Sequence, residues 1–263
     1  MPCWPELPEL PVHPQPFVKN EAAGRSLHFS WDAMQSLMSC QNPFDLELPY
    51  TKTMMAFLLA KPHPAHILMI GLGGGSLVKF CYQNLPKTRI TVVEINPHVI
   101  AMRQQFLIPD DDGRLQVVCA DGAHFVRDAS PGFDVILVDG FDVGGISLQL
   151  CTADFYDNCH RVMTPASVLV LNLDNDNPAH PVFIERITQA FGGHVVEIDV
   201  IDRSNSIAFA NKGISISSHG MSLSGSLGHH APAARSQLQS EMQRVLEILD
   251  SRQPLGQAAC AAL

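Results

Sequence analysis

Residues 66–80 read HILMIGLGGGSLVKF, an apolar run stopped by glycine at 71, 73, 74 and 75 and followed at once by a second apolar-periodic stretch. A short apolar run ending in glycines has the length and boundary of a buried strand. The following SLVKFCYQNL spaces its apolar residues as a helix does. Strand, bare turn and helix make the first half of a βα unit, and the missing side chains let a ligand lie against main chain.

The alternation continues on both sides. RITVVEI (89–95) is expected to be a second strand, and PHVIAMRQQF (97–106) a helix with Pro97 in its first turn. LQVVCAD (115–121) and FDVILVD (133–139) follow as strands, then ADFYDNCHRVM (153–163) as a helix and ASVLVLNL (166–173) as a strand. HPVFIERITQAF (180–191) predicts another helix, and HVVEIDVI (194–201) with NSIAFANKG (205–213) a closing antiparallel pair. Strands alternating with helices imply an α/β fold with a Rossmann-like, doubly wound, mostly parallel sheet. Upstream, residues 1–16 are proline-rich and read as an extended lead, and 17–49 as a small β-region with a hairpin from Phe17 to Trp31 and Gly24 near its turn. YTKTMMAFLLA (50–60) reads as a helix opening the main domain, which runs to residue 213. Residues 214–235 are Gly/Ser-rich and read as a flexible linker, and 236–263 as a tethered helix and tail. Leu238, Met242, Val245, Leu246 and Leu249 form its apolar stripe, for packing on the domain or for self-association as a homodimer.

Of the 263 residues, 46% are hydrophobic and 16% charged, with formal net charge −9. That balance argues against a nucleic-acid partner and suits a small cationic substrate. No apolar run is long enough to span a membrane, and the first residues lack the order of a secretory signal. Seven cysteines without a CxxC pair predict free thiols and a cytoplasmic setting. The twelve histidines show no metal-ligand spacing, so no metal is expected; His63 with His66, and His229 with His230, read as surface-loop residues.

Ligands of open parallel sheets sit beyond the carboxyl ends of the strands. Gly71, Gly73 and Gly75 mark the first such end. Glu94 closes the second strand about twenty residues on, where a carboxylate accepts both ribose hydroxyls. Asp121 closes the third, where it can accept from an adenine amino group, and Gly122 leaves room beside the base. Ser76 replaces the third glycine of G-x-G-x-x-G and no Gly-Lys-Ser/Thr is present, so a nucleoside without phosphate fits best, which points to the S-adenosylmethionine class. The fourth strand ends FDVILVDGFDVGG, with Asp139 and Asp142 three apart. Two acids there could hold an alkylammonium and take the proton of an attacking nitrogen.

MIGLGGGSL, VVEINPHVI, RLQVVCADGAHFV, FDVILVDGFD, LCTADFYDNCHRVMTPASVLVLNL and SIAFANKG, in this order from about Phe29 to Lys212, resemble the spermidine synthase (polyamine aminopropyltransferase) family. The resemblance implies the class I methyltransferase type of sheet. It also implies transfer of the aminopropyl group of decarboxylated S-adenosylmethionine to a polyamine, with release of 5′-methylthioadenosine and without a metal. By resemblance Glu94 holds the ribose, Asp121 the adenine, Asp139 takes the amine proton and Asp142 anchors the other end of the acceptor. Gln35 in AMQSL resembles the family glutamine near the nucleoside, and Tyr50 in LPYTK the tyrosine near the reacting amine.

Three positions depart from the family pattern. Gly74 stands where its GGGDG turn carries aspartate, Lys52 where its Y-x-E carries glutamate, and Val143 where proline follows the second aspartate. A Lys52 side chain turned inward would repel a diamine. Three readings stay open from the residues: aminopropyl transfer, methyl transfer from S-adenosylmethionine itself, and a non-catalytic nucleoside-binding homologue. A loop closing over the site on Gly140, Gly144 and Gly145 is a further expectation.

Overall fold

The computed structural model describes residues 13–22, 24–31, 33–142, 144–201, 204–214 and 221–252; the Asp142 side chain lies outside the description. Three antiparallel strands come first, β1 (Phe17–Glu21), β2 (Gly24–His28) and β3 (Met34–Ser39), paired in that order. The expected hairpin is β1 and β2. The third strand was not anticipated, because MQSLMS carries no β-branched residue and owes its extension to pairing with β2. The expected helix over 50–60 is two short ones, α1 (Pro49–Met54) and α2 (Phe57–Ala60), separated by a turn at Met55 and Ala56.

Next follow β4 (His66–Ile70), α3 (Ser76–Asn84), β5 (Arg89–Glu94), α4 (Pro97–Ile100), β6 (Leu115–Cys119), α5 (Gly122–Asp128) and β7 (Phe133–Val138). Helix α4 is a single turn, and residues 101–107 continue as turns where a full helix was expected. A two-residue hairpin, β8 (Phe141–Asp142) and β9 (Gly145–Ile146), and a 3-10 turn at Leu148–Cys151 lead to α6 (Ala153–Val162). Thr152 caps α6 by accepting from the Phe155 N–H at 3.1 Å. Then come β10 (Met163–Asp174), α7 (His180–Ala190), β11 (Val195–Asp199), β12 (Asn205–Lys212), α8 (Leu223–Leu227) and α9 (Pro232–Ser251).

Seven strands form the central sheet in the order β11-β12-β10-β7-β4-β5-β6. β10, β7, β4, β5 and β6 are parallel, and β12 is antiparallel to both β10 and β11. Period-2 alternation splits the core between the two faces. Ile67 and Met69 of β4 join Val135 and Leu137 of β7 in the cluster that includes α1–α3 and α9; Leu68, Ile70, Ile136 and Val138 join α5–α7. After β6 the chain crosses back to β7 on the other side of β4, so strand order reverses between β4 and β7. That crevice is where an open sheet takes its ligand.

Two stretches whose composition reads as loose make defined contacts among the described residues. Pro14, in the proline-rich lead, accepts from Asn96 Nδ2 at 2.8 Å, while residues 1–12 lie outside the described residues. The stretch expected to be a linker carries α8, with Ser226 and Leu227 buried; residues 215–220 are outside the description. Helix α9 buries Leu238, Met242, Val245 and Leu249 in the domain's own core. Gln237 fastens it by accepting from the Leu46 N–H at 3.0 Å and donating to Asp45 at 2.6 Å. A stripe used in this way stays in its own chain. Of the four paired histidines, His63 and His229 are exposed loop residues as expected, their tilted rings 5.1 Å apart between centroids, whereas His66 starts β4 and bonds Thr91 at 2.9 Å, and His230 is buried. Among the described residues no helix is long and apolar enough to cross a membrane. Five described cysteines, at 40, 81, 119, 151 and 159, are free thiols.

Candidate active site

A cavity of about 1040 Å³ opens at the carboxyl ends of β4, β5, β7 and β10, roofed by β3, the chain at His13–Pro14, and the hairpin of β8 and β9. It brings together Gln35, Tyr50, Gly71, Gly73, Glu94, Asp121 and Asp139. Gly75 and Gly122 are not in its wall.

The four glycines of the turn divide the work. Gly71, at φ +97°, passes so close to β7 that a Cβ would stand 2.1 Å from the Asp139 carbonyl oxygen. The tight pass is set by the ladder, in which the Gly71 N–H donates to Val93 and the Asp139 N–H to Ile70, both at 2.9 Å. Gly73, at φ +50°, has Ser36 Cβ as its nearest neighbour, at 3.9 Å, and it faces the cavity. Gly74 and Gly75 are bare for packing: a Cβ at Gly74 would meet Ser36 Oγ at 2.6 Å, and one at Gly75 would meet Ile108 at 2.4 Å. The turn carrying Ile108 is held from behind by the buried Lys79, whose Nζ donates to the Phe106 carbonyl at 2.9 Å; burial pushes this ammonium down to about 8. Gly122 likewise answers to packing, since a Cβ there would lie 2.4 Å from Ile70 Cγ2. Its expected place beside a base is not where the structure puts it.

Glu94 ends β5 with 8% of its surface exposed. One carboxylate oxygen accepts from the Leu72 N–H and the other from the Asn96 N–H, each at 2.8 Å. Burial raises its pKa, opposed by the N–H groups of Asn96, Leu72 and Ile95 and by His13. Both oxygens are thereby aimed, each with a further lone pair for a ligand hydroxyl. Asp121 caps α5, accepting from the His124 N–H at 2.9 Å, and lines the same cavity.

On the other side of β4 stands Asp139, just beyond the end of β7. Tyr50 Oη, at the start of α1, donates to its Oδ2 at 3.0 Å, and Asn172 Nδ2 donates to its Oδ1 at 2.9 Å. Burial raises the Asp139 pKa above the ordinary carboxylate value, with the bonds from Asn172 and Tyr50 opposing. Burial and the neighbouring carboxylate hold Tyr50 well above 10.0, so it remains a donor. Asp142 pairs with Gly145 through its backbone. Gly140 cannot carry a side chain without meeting Leu150, at 2.3 Å.

Lys52 is absent from the cavity wall. Its charge falls on Glu241 of α9, where burial works to raise the carboxyl and Arg244, Thr53 and Lys52 together outweigh it. Among the described residues the ionisable side chains of the wall are five acids (Glu94, Asp121, Asp139, Asp174 and Asp176) with Tyr50 and His13, and no lysine or arginine. Asn172 and Asn205 were not anticipated. Asn172 is a polar residue inside the run VLVLNLD at the carboxyl end of a strand, a placement that marks it in retrospect. Among the described residues no three His, Cys, Asp or Glu side chains are grouped to hold a metal ion.

Residues 47–200 match the family model of the spermine/spermidine synthase domain. The chain belongs to the spermine/spermidine synthase family. A polyamine aminopropyltransferase of Chromobacterium violaceum is 39% identical over 199 residues, covering 75% of this chain and 76% of that protein. One from Neisseria meningitidis is 37% identical over 194 residues, covering 73% and 74%. Among solved structures, a probable spermidine synthase from Corynebacterium glutamicum superposes with TM-score 0.68 at 18% identity, over 94% of this chain and 95% of that one. A spermidine synthase in complex with the transition-state analogue AdoDATO gives 0.61 at 20% identity, over 90% and 85%. At such identities these two structures establish the shared fold, the doubly wound sheet of class I methyltransferase type. Within this spermidine synthase-like chain, the acids at the ends of β5, β6 and β7 share one cavity across the reversal of strand order.

Proposed function

We propose that the protein transfers the aminopropyl group of decarboxylated S-adenosylmethionine to an amine acceptor and releases 5′-methylthioadenosine. The observation that carries this reading is the buried Asp139 carboxylate, gripped by Tyr50 and Asn172 in a cavity whose other wall presents the aimed carboxylate of Glu94. Glu94 suits a ribose diol and Asp121 an exocyclic amine. The five acids of the described wall suit a cationic acceptor and would repel the carboxylate that full S-adenosylmethionine carries, which favours the decarboxylated form.

When bound, the sulfonium supplies the leaving group. The acceptor reaches neutral solution as an ammonium and must lose a proton before its lone pair can attack carbon. Asp139 takes that proton. The C–N bond forms as the C–S bond breaks, and the bonding pair returns to sulfur, leaving a neutral thioether. A carboxyl raised by burial is a stronger base than an exposed one, and Tyr50 and Asn172 fix where it points. In this reading Gln35 lies on the nucleoside side, and Asp142 anchors the far end of the acceptor.

Asp139→Asn tests the assignment. The variant should lose roughly 10²- to 10⁴-fold in turnover with decarboxylated S-adenosylmethionine and a panel of di- and triamines, the range for loss of a general base. Calorimetry with 5′-methylthioadenosine should show unchanged binding. Retained turnover, lost nucleoside binding, or methylated product from full S-adenosylmethionine would each overturn the reading.

A further inference from the structure

Asp139 Oδ1 is held by an amide whose own direction needs setting. Asn172, 3% exposed on β10, donates through Nδ2 to Asp139, while its Oδ1 accepts from Asn205 Nδ2 at 3.0 Å. Asn205 opens β12, the antiparallel neighbour of β10, and both asparagines line the cavity. An ionised carboxylate only accepts, so Asn172 must turn its NH2 to Asp139 and its oxygen to Asn205. Reversed, it would set oxygen against oxygen at one end and NH2 against NH2 at the other. The chain Asn205→Asn172→Asp139 therefore has a single direction, set by the carboxylate and completed by the NH2 of Asn205.

We propose that Asn205 is a positioning residue for the reaction, holding the Asn172 amide in the orientation that keeps Asp139 ionised and aimed at the acceptor nitrogen. This rests on Asp139 being the base. Tyr50, from α1, is the titratable group bonded to Asp139; Asp174 and Asp176 after β10, Glu94 and Asp121 across the crevice, and His13 share the cavity. None of these is changed by Asn205→Ala, which also adds no charge, so a shift in the titration of Asp139 in that variant reports the amide relay. A bond donated to the carboxylate favours its charged form, and its loss raises the pKa.

The test compares Asn205→Asp and Asn205→Ala in the full chain. Asn205→Asp sets an acceptor-only carboxylate at each end of Asn172, so the amide no longer satisfies both ends, its hold on Asp139 is lost for part of the time, and the added charge also raises the Asp139 carboxyl. The acidic limb of the kcat–pH profile should then move up by about one pH unit, in keeping with loss of a hydrogen bond to a charged group. KM for decarboxylated S-adenosylmethionine and the affinity for 5′-methylthioadenosine should stay within about 3-fold, against the roughly tenfold change per pH unit expected in the acidic limb. Asn205→Ala, which removes the donor without adding an acceptor, should shift the limb less. Melting temperature and nucleoside binding of each variant confirm that it has folded. A profile superimposable on the parent, or a fall in kcat uniform across pH, would overturn the relay. If Asp139→Asn is itself active the base assignment has failed; if Asp139→Asn is dead and Asn205→Asp behaves as the parent, the relay alone has failed.

Discussion

Gly71→Ala offers a test of how the glycine turn is built, because Gly71 and Gly73 look alike in sequence and differ in surroundings. At Gly71 the backbone sits at φ +97°, well outside the left-handed well of L-residues, and the new methyl would stand 2.1 Å from the Asp139 carbonyl oxygen and 2.9 Å from its carbon. Backbone in so sparse a region costs about 1–3 kcal/mol. Forcing a methyl against rigid main chain adds about 1–3 kcal/mol. At Gly73, φ +50° is close to the left-handed well and the nearest atom is 3.9 Å away, so the cost is about 1–2 kcal/mol. For a chain of this size each kcal/mol lowers the melting temperature by about 2–4 °C. Gly71→Ala should thus melt about 4–24 °C below the parent, centred near 12 °C, and Gly73→Ala about 2–8 °C below. Thermal denaturation followed by circular dichroism measures both. Turnover of Gly71→Ala below its melt should also fall, since relief of the clash moves the β7 end that carries Asp139. Equal shifts for the two variants, or a Gly71→Ala protein melting within 2 °C of the parent, would refute the reasoning.

Two further outcomes follow from burial. His66 is pushed from 6.5 to about 4, first by burial and then by the Arg89 charge, with Asp134 and the Gly132 carbonyl opposing. Between those values the unfolded chain binds the proton and the folded chain does not, so stability falls as pH drops through the window. His66→Gln should flatten the melting temperature against pH between about 6.5 and 4; an unchanged slope would remove His66 as the cause. Leu238→Ala empties a fully buried site in α9 and should cost about 2–5 kcal/mol. Light scattering of that variant below its melt should match the parent, and a changed oligomeric state would mean that the stripe serves a partner.

How much of this was legible in the residues can be told from particular elements. The run HILMIGLGGG specified a strand and its turn because period and glycine act locally, and Glu94, Asp121 and Asp139 were found because they stand at the ends of three apolar runs. The third strand of the small sheet was hidden, since MQSLMS carries no pattern of its own and is extended by pairing with β2. Composition likewise describes only the free chain, whereas the contacts of Pro14 with Asn96 and of α8 with the main core show how parts of the lead and linker are held.

Local chemistry along the chain was enough to determine the βα alternation and the acids at the strand tips, because each depends on neighbours a few residues away, and the order of the motifs along the sequence was enough for the family. What each glycine is bare for, where Lys52 turns, and which groups grip Asp139 were decided only by the tertiary structure. Tyr50 lies 89 residues from Asp139, Asn172 lies 33 from it, and Asn205 another 33 beyond. Hydrogen bonds and close contacts reach about 3 Å, and only the pairing of β7, β10 and β12, with α1 packed against β10 and β12, brings such distant positions within that reach.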